Sequence, residues 1–197
     1  DSLYLRSVVN HDGTVTTSTF GAELYTVSAA YVLGAGNLGV VQSDNLFDVE
    51  FHLSQRVRYS ATYSFRAVKQ GAASASSDIL LTDGLGTVMS GHVNASTSTG
   101  ASSAKGWLEA GNAQITVEQI ADATSTAGSE GANTSGSFLV RLFCPADTDL
   151  DGDVDSDDQS FFNSLFSAQD PLADMDGDGN INAQDQALYG ASFASGC

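Results

Sequence analysis

Hydrophobic and polar residues alternate along much of the first three quarters of the chain, which is the pattern of β-strands buried on one face. The clearest case is residues 47–53, where Phe47, Val49, Phe51 and Leu53 are separated by polar residues. Residues 57–67 repeat the pattern, with Val, Tyr, Ala, Tyr and Phe on one face and Arg, Ser and Thr on the other. Further strands are predicted at residues 78–82, 87–93, 106–109, 114–120 and 136–143. We expect residues 1–143 to form a mainly β domain, a jelly-roll-like sandwich of two sheets.

Clusters of glycine and small polar residues separate these strands and predict the turns between them. They lie at residues 83–84, 96–103, 111–112 and 127–136. Near the N-terminus, residues 25–33 also alternate strictly and predict a strand, although a helix over residues 22–32 stays open as an alternative. The N-terminal segment would be an ordinary strand of the sandwich, or it would complete the sheet of a neighbouring copy and so build a filament.

Two acidic segments in the last quarter of the chain share one spacing. Counted from the first aspartate, positions 1, 3, 5, 9 and 12 carry a side-chain oxygen, and position 6 is glycine. This is the spacing of a twelve-residue calcium loop, because calcium takes about 6–8 hard oxygen ligands and the glycine permits a sharp turn. The predicted ligands of the first ion are Asp147, Asp149, Asp151, Asp155 and Asp158, with Asp153 through its backbone carbonyl. Those of the second ion are Asp174, Asp176, Asp178, Asn182 and Asp185, with Asn180 through its carbonyl. A solvated acidic tail is the alternative, and two complete matches argue against it.

The two loops begin a repeat, because the residues that follow Asp147 align position by position with those that follow Asp174. After each loop, aromatic and aliphatic residues recur at helical spacing, so each repeat is predicted to be a loop followed by a helix. Position 8 is apolar in both loops, and we expect Val154 and Ile181 to pair the loops through a short β contact.

Residues 144–197 resemble a type I dockerin, the module that attaches enzymes to cohesin-bearing scaffolds. The Cys-Pro-Ala-Asp start and the Gly-Cys end are more similar to the dockerin-like C-termini of planctomycete-type secreted proteins. The resemblance covers about a quarter of the chain and implies a small α module with two EF-hand-type calcium loops. The ends of a dockerin-like fold come together, which implies a disulfide between Cys144 and Cys197, with two free thiols as the alternative.

The resemblance also suggests a cohesin-like partner, but the residues that would bind it differ. Cellulosomal dockerins usually have a Ser/Thr pair at loop positions 10 and 11, where this chain has Ser156-Asp157 and Ala183-Gln184. We therefore carry over the calcium ligands and the fold, and keep a cohesin-like protein as one possible partner.

The formal net charge is −17, and 12 of the 24 acidic residues lie from Asp147 onward, with no basic residue after Arg141. This balance excludes nucleic acid as a partner, because phosphate binding needs a basic surface. No apolar run reaches the roughly 18 residues of a membrane span, so none is predicted. A disulfide and calcium loops both favour an extracellular protein of the cell surface or matrix. If the protein is exported, we expect Asp1 to be its mature terminus.

Few residues suggest catalysis. The three histidines are isolated, and Asp48 and Glu50 form a like-charged pair on one strand face, which is commoner than a glycosidase pair. The single tryptophan, Trp107, is the residue on which sugar stacking would depend. We therefore expect a non-enzymatic structural or interaction protein that self-assembles or docks to a cell-surface scaffold. A carbohydrate-binding module of a secreted glycan-active system is the alternative.

Overall fold

The structure, a computed structural model, describes residues 2–15, 20–33, 39–96, 98–125 and 130–196. Over these residues the chain forms nine strands, two α-helices and a short 3-10 helix. The strands are β1 (Ser2–Val15), β2 (Phe20–Leu33), β3 (Gly39–Leu53), β4 (Val57–Gln70), β5 (Ser74–Asp83), β6 (Gly86–Asn94), β7 (Thr99–Leu108), β8 (Gly111–Ser125) and β9 (Glu130–Phe143). The α-helices are α1 (Ser156–Ala168) and α2 (Ala183–Ser195), with the 3-10 helix at Pro171–Ala173.

The strands form two antiparallel sheets, which confirms the prediction of a mainly β chain. Sheet A has the strand order β1-β2-β9-β4-β7, and sheet B has the order β3-β8-β5-β6. The two sheets pack face to face, because one core contains buried residues of both. Phe65 and Phe138 come from sheet A, and Ile79 and Ile115 from sheet B. The ring of Phe47 in sheet B lies 5.3 Å from that of Phe138, measured between centroids.

The predicted strands all overlap observed strands, which are longer, and Glu109 is the one predicted strand residue that lies outside them. Residues 99–103, 111–112 and 130–136, predicted as turns, belong to β7, β8 and β9, so that prediction was wrong. The small residues there make room for neighbours: a Cβ on Gly136 would lie 2.2 Å from Phe65 Cδ1, and one on Gly100 would lie 2.4 Å from Val93 Cγ2. Glycine at these places is therefore a packing requirement of the sheet, which in sequence looks the same as a turn signal.

The N-terminal segment is extended and lies in the sheet of its own chain. Residues 22–32 are part of β2, so the helical alternative was wrong. β1 pairs with β2 along its whole length, from Ser2 opposite Leu33 to Val15 opposite Phe20. This is the arrangement of an ordinary sandwich strand.

Residues 144–196, which we call the C-terminal unit, form a second and smaller core. Its buried residues are Ala146, Phe162, Ala173, Met175 and Tyr189. The rings of Phe162 and Tyr189, which occupy equivalent positions of the two repeats, stack with centroids 3.9 Å apart and planes 3° apart. The repeat in the sequence therefore becomes a pair of matching helices that pack through equivalent side chains. Val154 and Ile181 pack against this core, but neither lies in a strand among the described residues, so the predicted β contact was wrong.

The C-terminal unit packs against one end of sheet A through Arg58. This residue is 1% exposed, although the alternation of β4 predicted a solvated polar face there. Arg58 Nε donates to the carbonyl of Pro145 at 2.8 Å, and the guanidinium carbon lies 4.2 Å from the ring centroid of Trp107. Trp107 in turn packs against the small core. Arg58 is buried because the second unit covers it. None of the described helices is long and apolar enough to span a membrane.

Candidate metal centre

The two acidic loops have the same hydrogen bonds at position 1. In the first loop, the backbone N–H groups of Leu150 and Gly152 donate to the two carboxylate oxygens of Asp147, at 2.8 and 3.0 Å. In the second, Gly177 and Gly179 donate to Asp174 at 2.8 and 3.0 Å. The backbone has positive φ at positions 4 and 6, and at position 6 its values are +105° for Gly152 and +82° for Gly179. The loop backbone therefore fixes the first carboxylate of each loop in the same way.

Position 12 is the most enclosed residue of each loop. Asp158 is 1% exposed, and its Oδ1 accepts from the N–H groups of Thr148 and Asp149, while Oδ2 accepts from the N–H of Asp155. Asp185 is 0% exposed and is the third residue of α2, as Asp158 is of α1. The side chains at positions 9 and 12 form a capping box, which orients the start of each helix.

Asp185 accepts an equivalent set of hydrogen bonds. Its Oδ1 accepts from the N–H groups of Met175 and Asp176, at 2.7 and 3.4 Å, and its Oδ2 accepts from the N–H of Asn182 at 2.8 Å. A buried carboxylate is costly without compensating donors, and these backbone groups supply part of that compensation.

The carboxylates of positions 1, 3 and 12 converge in both loops. One oxygen from each of Asp147, Asp149 and Asp158 lies within 4.8 Å of the others, and the same holds for Asp174, Asp176 and Asp185. A further cluster of the same kind contains Asp153, Asp155 and Asp158. Asp153 therefore brings a side-chain oxygen close to the others, whereas the sequence assigned it only a backbone carbonyl.

The remaining predicted ligands lie at the exposed side of the loops. Asp151 and Asp178 at position 5 are exposed and belong to none of these clusters; each accepts from the backbone N–H two residues ahead. Asp155 and Asn182 at position 9 accept from the N–H groups of Asp157 and Gln184 as helix caps. Asn180 at position 7 is exposed, and its carbonyl accepts from the Asn182 side chain at 3.3 Å.

The first loop concentrates negative charge with little compensation. Burial, and then the carboxylate of Asp158, raises the pKa of Asp147 to about 6. Burial followed by the charge of Asp158 raises the pKa of Asp149, and the charge of Asp151 is the main cause that raises the pKa of Asp153. Among the described side chains, no basic nitrogen lies within 4.0 Å of a carboxylate of this loop. A bound cation would therefore stabilise the ionised form of this loop.

A hard divalent cation fits this donor set. The groups that converge are all oxygens, which are the ligands that calcium takes, and the carboxylates at positions 1 and 12 are buried. Soft metals that prefer sulfur or imidazole find neither ligand in these clusters. The loops therefore suit calcium better than zinc or copper.

Sequence reasoning missed the residues of the sandwich that touch the site. Arg56, which precedes β4, donates through Nη1 to the backbone carbonyl of Asp174, and Nη1 lies 4.0 Å from Asp174 Oδ1. Its Nε donates to Glu109 at 2.8 Å, and its guanidinium carbon lies 4.5 Å from the Trp107 centroid. Trp107 thus has both Arg56 and Arg58 beside its ring. No local pattern marks Arg56, because its contact with Asp174 spans 118 residues.

Other predicted features have simpler surroundings. Cys197 lies outside the described residues, so its disulfide with Cys144 stays a prediction. Asp48 Oδ1 accepts from the side chains of Gln114 and Thr116 on the exposed face of sheet B. On the same face, Nδ1 of His92 lies 2.5 Å from Oδ1 of Asp78.

No protein-family model and no curated protein matches the chain. Among solved structures, one of the infectious bursal disease virus Gx strain is 15% identical, covers 70% of this chain and 32% of its own, and has a TM-score of 0.29. Arthrobacter globiformis T6 isomalto-dextranase complexed with panose is 14% identical, with 62% and 23% covered and a TM-score of 0.27. TmCBM61 in complex with β-1,4-galactotriose is 12% identical, with 67% and 86% covered and a TM-score of 0.24. The chain spans 32% and 23% of the first two proteins, and TM-scores this low support no argument about function.

Proposed function

We propose that residues 144–197 are a dockerin-like module with two EF-hand-type calcium loops, carried by a jelly-roll sandwich of residues 1–143. The whole chain would be a non-enzymatic extracellular structural or interaction protein that calcium stabilises. One observation supports this above all: the two repeated loops converge the same three carboxylates, with the same backbone donors and a buried aspartate at position 12.

Each loop residue has a separate task in this proposal. The carboxylates of positions 1, 3 and 12 would hold the ion, and the backbone N–H groups keep them in place before it arrives. Such preorganisation lowers the entropy lost on binding. Bound calcium would supply the positive charge that no described side chain brings within 4.0 Å of the first loop's carboxylates. Because α1 and α2 start at positions 10, the ion would also fix where the helices begin.

The surroundings of Trp107 and Asp48 favour an interaction protein over a carbohydrate-binding module and over a glycosidase. The ring of Trp107 lies beside two guanidinium groups and packs against the small core, so protein groups already occupy positions where a sugar would stack. Asp48 is on an exposed strand face, held by neutral side chains. The proposed partner is a second copy of the chain or a cohesin-like scaffold.

Calorimetric titration of the chelated protein with calcium tests the metal proposal. We expect two bound ions in the wild type and one in each of the variants Asp147→Asn and Asp174→Asn, since each removes one buried ligand. The matched control is Asp157→Asn, an exposed acid at position 11 of the first loop whose side chain belongs to none of the clusters. It should keep two ions. Failure of the wild type to bind calcium, or an equal loss in the control, would contradict the proposal.

A further inference from the structure

The charges of the sandwich are divided between its two sheets. Over the residues assigned to strands, sheet B contains seven acidic residues and no lysine or arginine. The strands of sheet A contain six basic residues and three acidic ones. The two sheets of one molecule therefore carry opposite charge.

The outer face of sheet B, which we call the acidic face, has apolar positions among carboxylates. Its outward acidic residues are Asp44, Asp48, Glu50, Asp78, Glu118 and Asp122. Between them lie two leucines, Leu46 at 65% exposed and Leu80 at 38% exposed. Leu46 stands opposite Glu118 in the sheet, and Glu118 stands opposite Asp78. Apolar residues within a polar rim are the usual anatomy of a protein interface.

The outer face of sheet A, which we call the basic face, carries exposed cations on three neighbouring strands. Arg66 is on β4, Lys105 on β7 and Arg141 on β9, and all three are exposed. The C-terminal unit covers the end of this face at Arg58 and borders it at Lys105, whose Nζ lies 5.8 Å from the ring centroid of Phe161. Arg66 is eight residues beyond Arg58 on the same strand, which is about 26 Å at about 3.3 Å per residue. That part of the basic face is beyond the contact with Arg58.

We infer that the acidic face of one copy binds the basic face of the next, so that the protein assembles head to tail. The inference rests on the proposed structural function and names its partner. Two acidic faces would repel each other, as would two basic faces, so the charges select the contact between unlike faces. A contact between two different surfaces does not close on itself when only translation or a small rotation relates the copies, and it then produces a filament.

The area of this contact is that of a weak interface, so a single contact between two copies should be unstable. Four strands about 4.8 Å apart and about ten residues long present roughly 600 Å². This is less than the roughly 800 Å² per partner of a stable complex. We therefore expect association that depends on protein concentration and on salt, because electrostatic attraction between exposed charges is screened.

A charge-exchange experiment tests the inference. One variant makes the basic face acidic, with Arg66→Glu and Arg141→Glu. The other makes the acidic face basic by four changes, which leave two of its six carboxylates against four lysines: Asp44→Lys, Asp48→Lys, Glu118→Lys and Asp122→Lys. Charge-preserving controls are Arg66→Lys with Arg141→Lys for the basic face, and Asp44→Glu, Asp48→Glu, Glu118→Asp and Asp122→Glu together for the acidic face. Sedimentation and negative-stain microscopy of the calcium-loaded full chain give the assembly state.

The wild type and both controls should form polymers at low salt. These should dissociate as salt rises from about 0.01 to about 1 M, which shortens the screening length from about 30 to about 3 Å. Each charge-reversed variant alone should stay monomeric, because its two faces then carry the same sign. An equimolar mixture of the two variants should polymerise again, since every contact in it joins opposite charges.

Two results would overturn the inference: a wild type that is monomeric at low salt, or polymers that survive in either variant alone. Polymers that persist in a charge-reversed variant would show that the contact uses another surface, such as the β1 edge of sheet A. Calcium counted on the same samples separates this from the metal proposal. A monomeric wild type with two bound ions would overturn only the head-to-tail assembly. Polymers without bound calcium would overturn only the metal proposal.

Discussion

Replacement of Asp158 by asparagine tests the first calcium loop at its most enclosed ligand. The asparagine oxygen keeps the donors Thr148 and Asp149, but the amide nitrogen faces the N–H of Asp155 and leaves it without an acceptor. An unsatisfied buried donor costs about 1–3 kcal/mol. In the opposite direction, the change removes the charge that helps to raise the pKa of Asp147. Because the two effects oppose each other, the net change should be smaller than the full cost of the unsatisfied donor. We expect the free energy of unfolding in chelator to change by no more than about 2 kcal/mol.

The calcium-dependent part of the stability gives the clearer number. A ligand that binds only the folded state at about 100 times its Kd adds about 2.7 kcal/mol per site. With two sites the wild type should gain about 5.4 kcal/mol when calcium replaces chelator, and Asp158→Asn should gain about 2.7 kcal/mol. The hydrogen-bond effect is present in both conditions and cancels in this difference.

Urea unfolding followed by tryptophan fluorescence measures both quantities. Trp107 is the only tryptophan and packs against the core of the C-terminal unit, so its emission should report the release of that unit. Asp157→Asn should keep the full calcium increment. If Asp158→Asn gains as much from calcium as the wild type, the carboxylate of position 12 is not a ligand and the reasoning fails.

Three further substitutions test other parts of the structure. Gly152→Ala should lower the free energy of unfolding by about 1–3 kcal/mol and weaken calcium binding, because a side chain is strained at its φ of +105°. The strain is in the backbone alone, since no atom lies within 4 Å of the new Cβ. An unchanged urea midpoint would contradict this prediction. Gly190→Ala, in the interior of α2 with equally open space, should raise it by about 0.5–1 kcal/mol in the same assay. Arg58→Lys keeps the charge but loses the planar contact with Trp107 and the fixed donor to Pro145, so we expect a loss of about 2 kcal/mol and a shifted emission spectrum in the folded state.

The sequence was most informative where structure depends on local spacing. Alternation identified the strands and their buried faces, because a strand turns every second residue to the same side. It misjudged strand ends at Gly100 and Gly136. Whether a glycine begins a turn or makes room for Phe65 depends on a strand that is distant in sequence.

The metal loops were readable for the same reason, since all the predicted ligands of one loop lie within twelve consecutive positions. One detail escaped: Leu150 has φ of +68°, a conformation that usually requires glycine. The repeat contained the signal, because the aligned residue is Gly177, which has φ of +76°. Two repeats compared position by position would have predicted a left-handed residue at position 4.

The contact between the two units could not be read from the sequence. Arg58 occupies a position that alternation assigns to solvent, and its partners Pro145 and Met175 are 87 and 117 residues away. A buried arginine is predictable only when the surface that will cover it is known.

The contacts of Arg58 indicate which part of the structure calcium would stabilise and which part depends on other groups. Burial lowers the pKa of Arg58 to about 10, and the charge of Asp147 opposes that shift from beyond ion-pair distance. A calcium ion among the carboxylates would weaken this attraction, because it would neutralise the same charge. The position of the C-terminal unit on the sandwich would then depend on the carbonyls of Pro145 and Asp174 and on the Trp107 ring, none of which is a proposed calcium ligand. Calcium would therefore stabilise the loops and the helices that follow them, while the arginines and Trp107 determine where the unit sits.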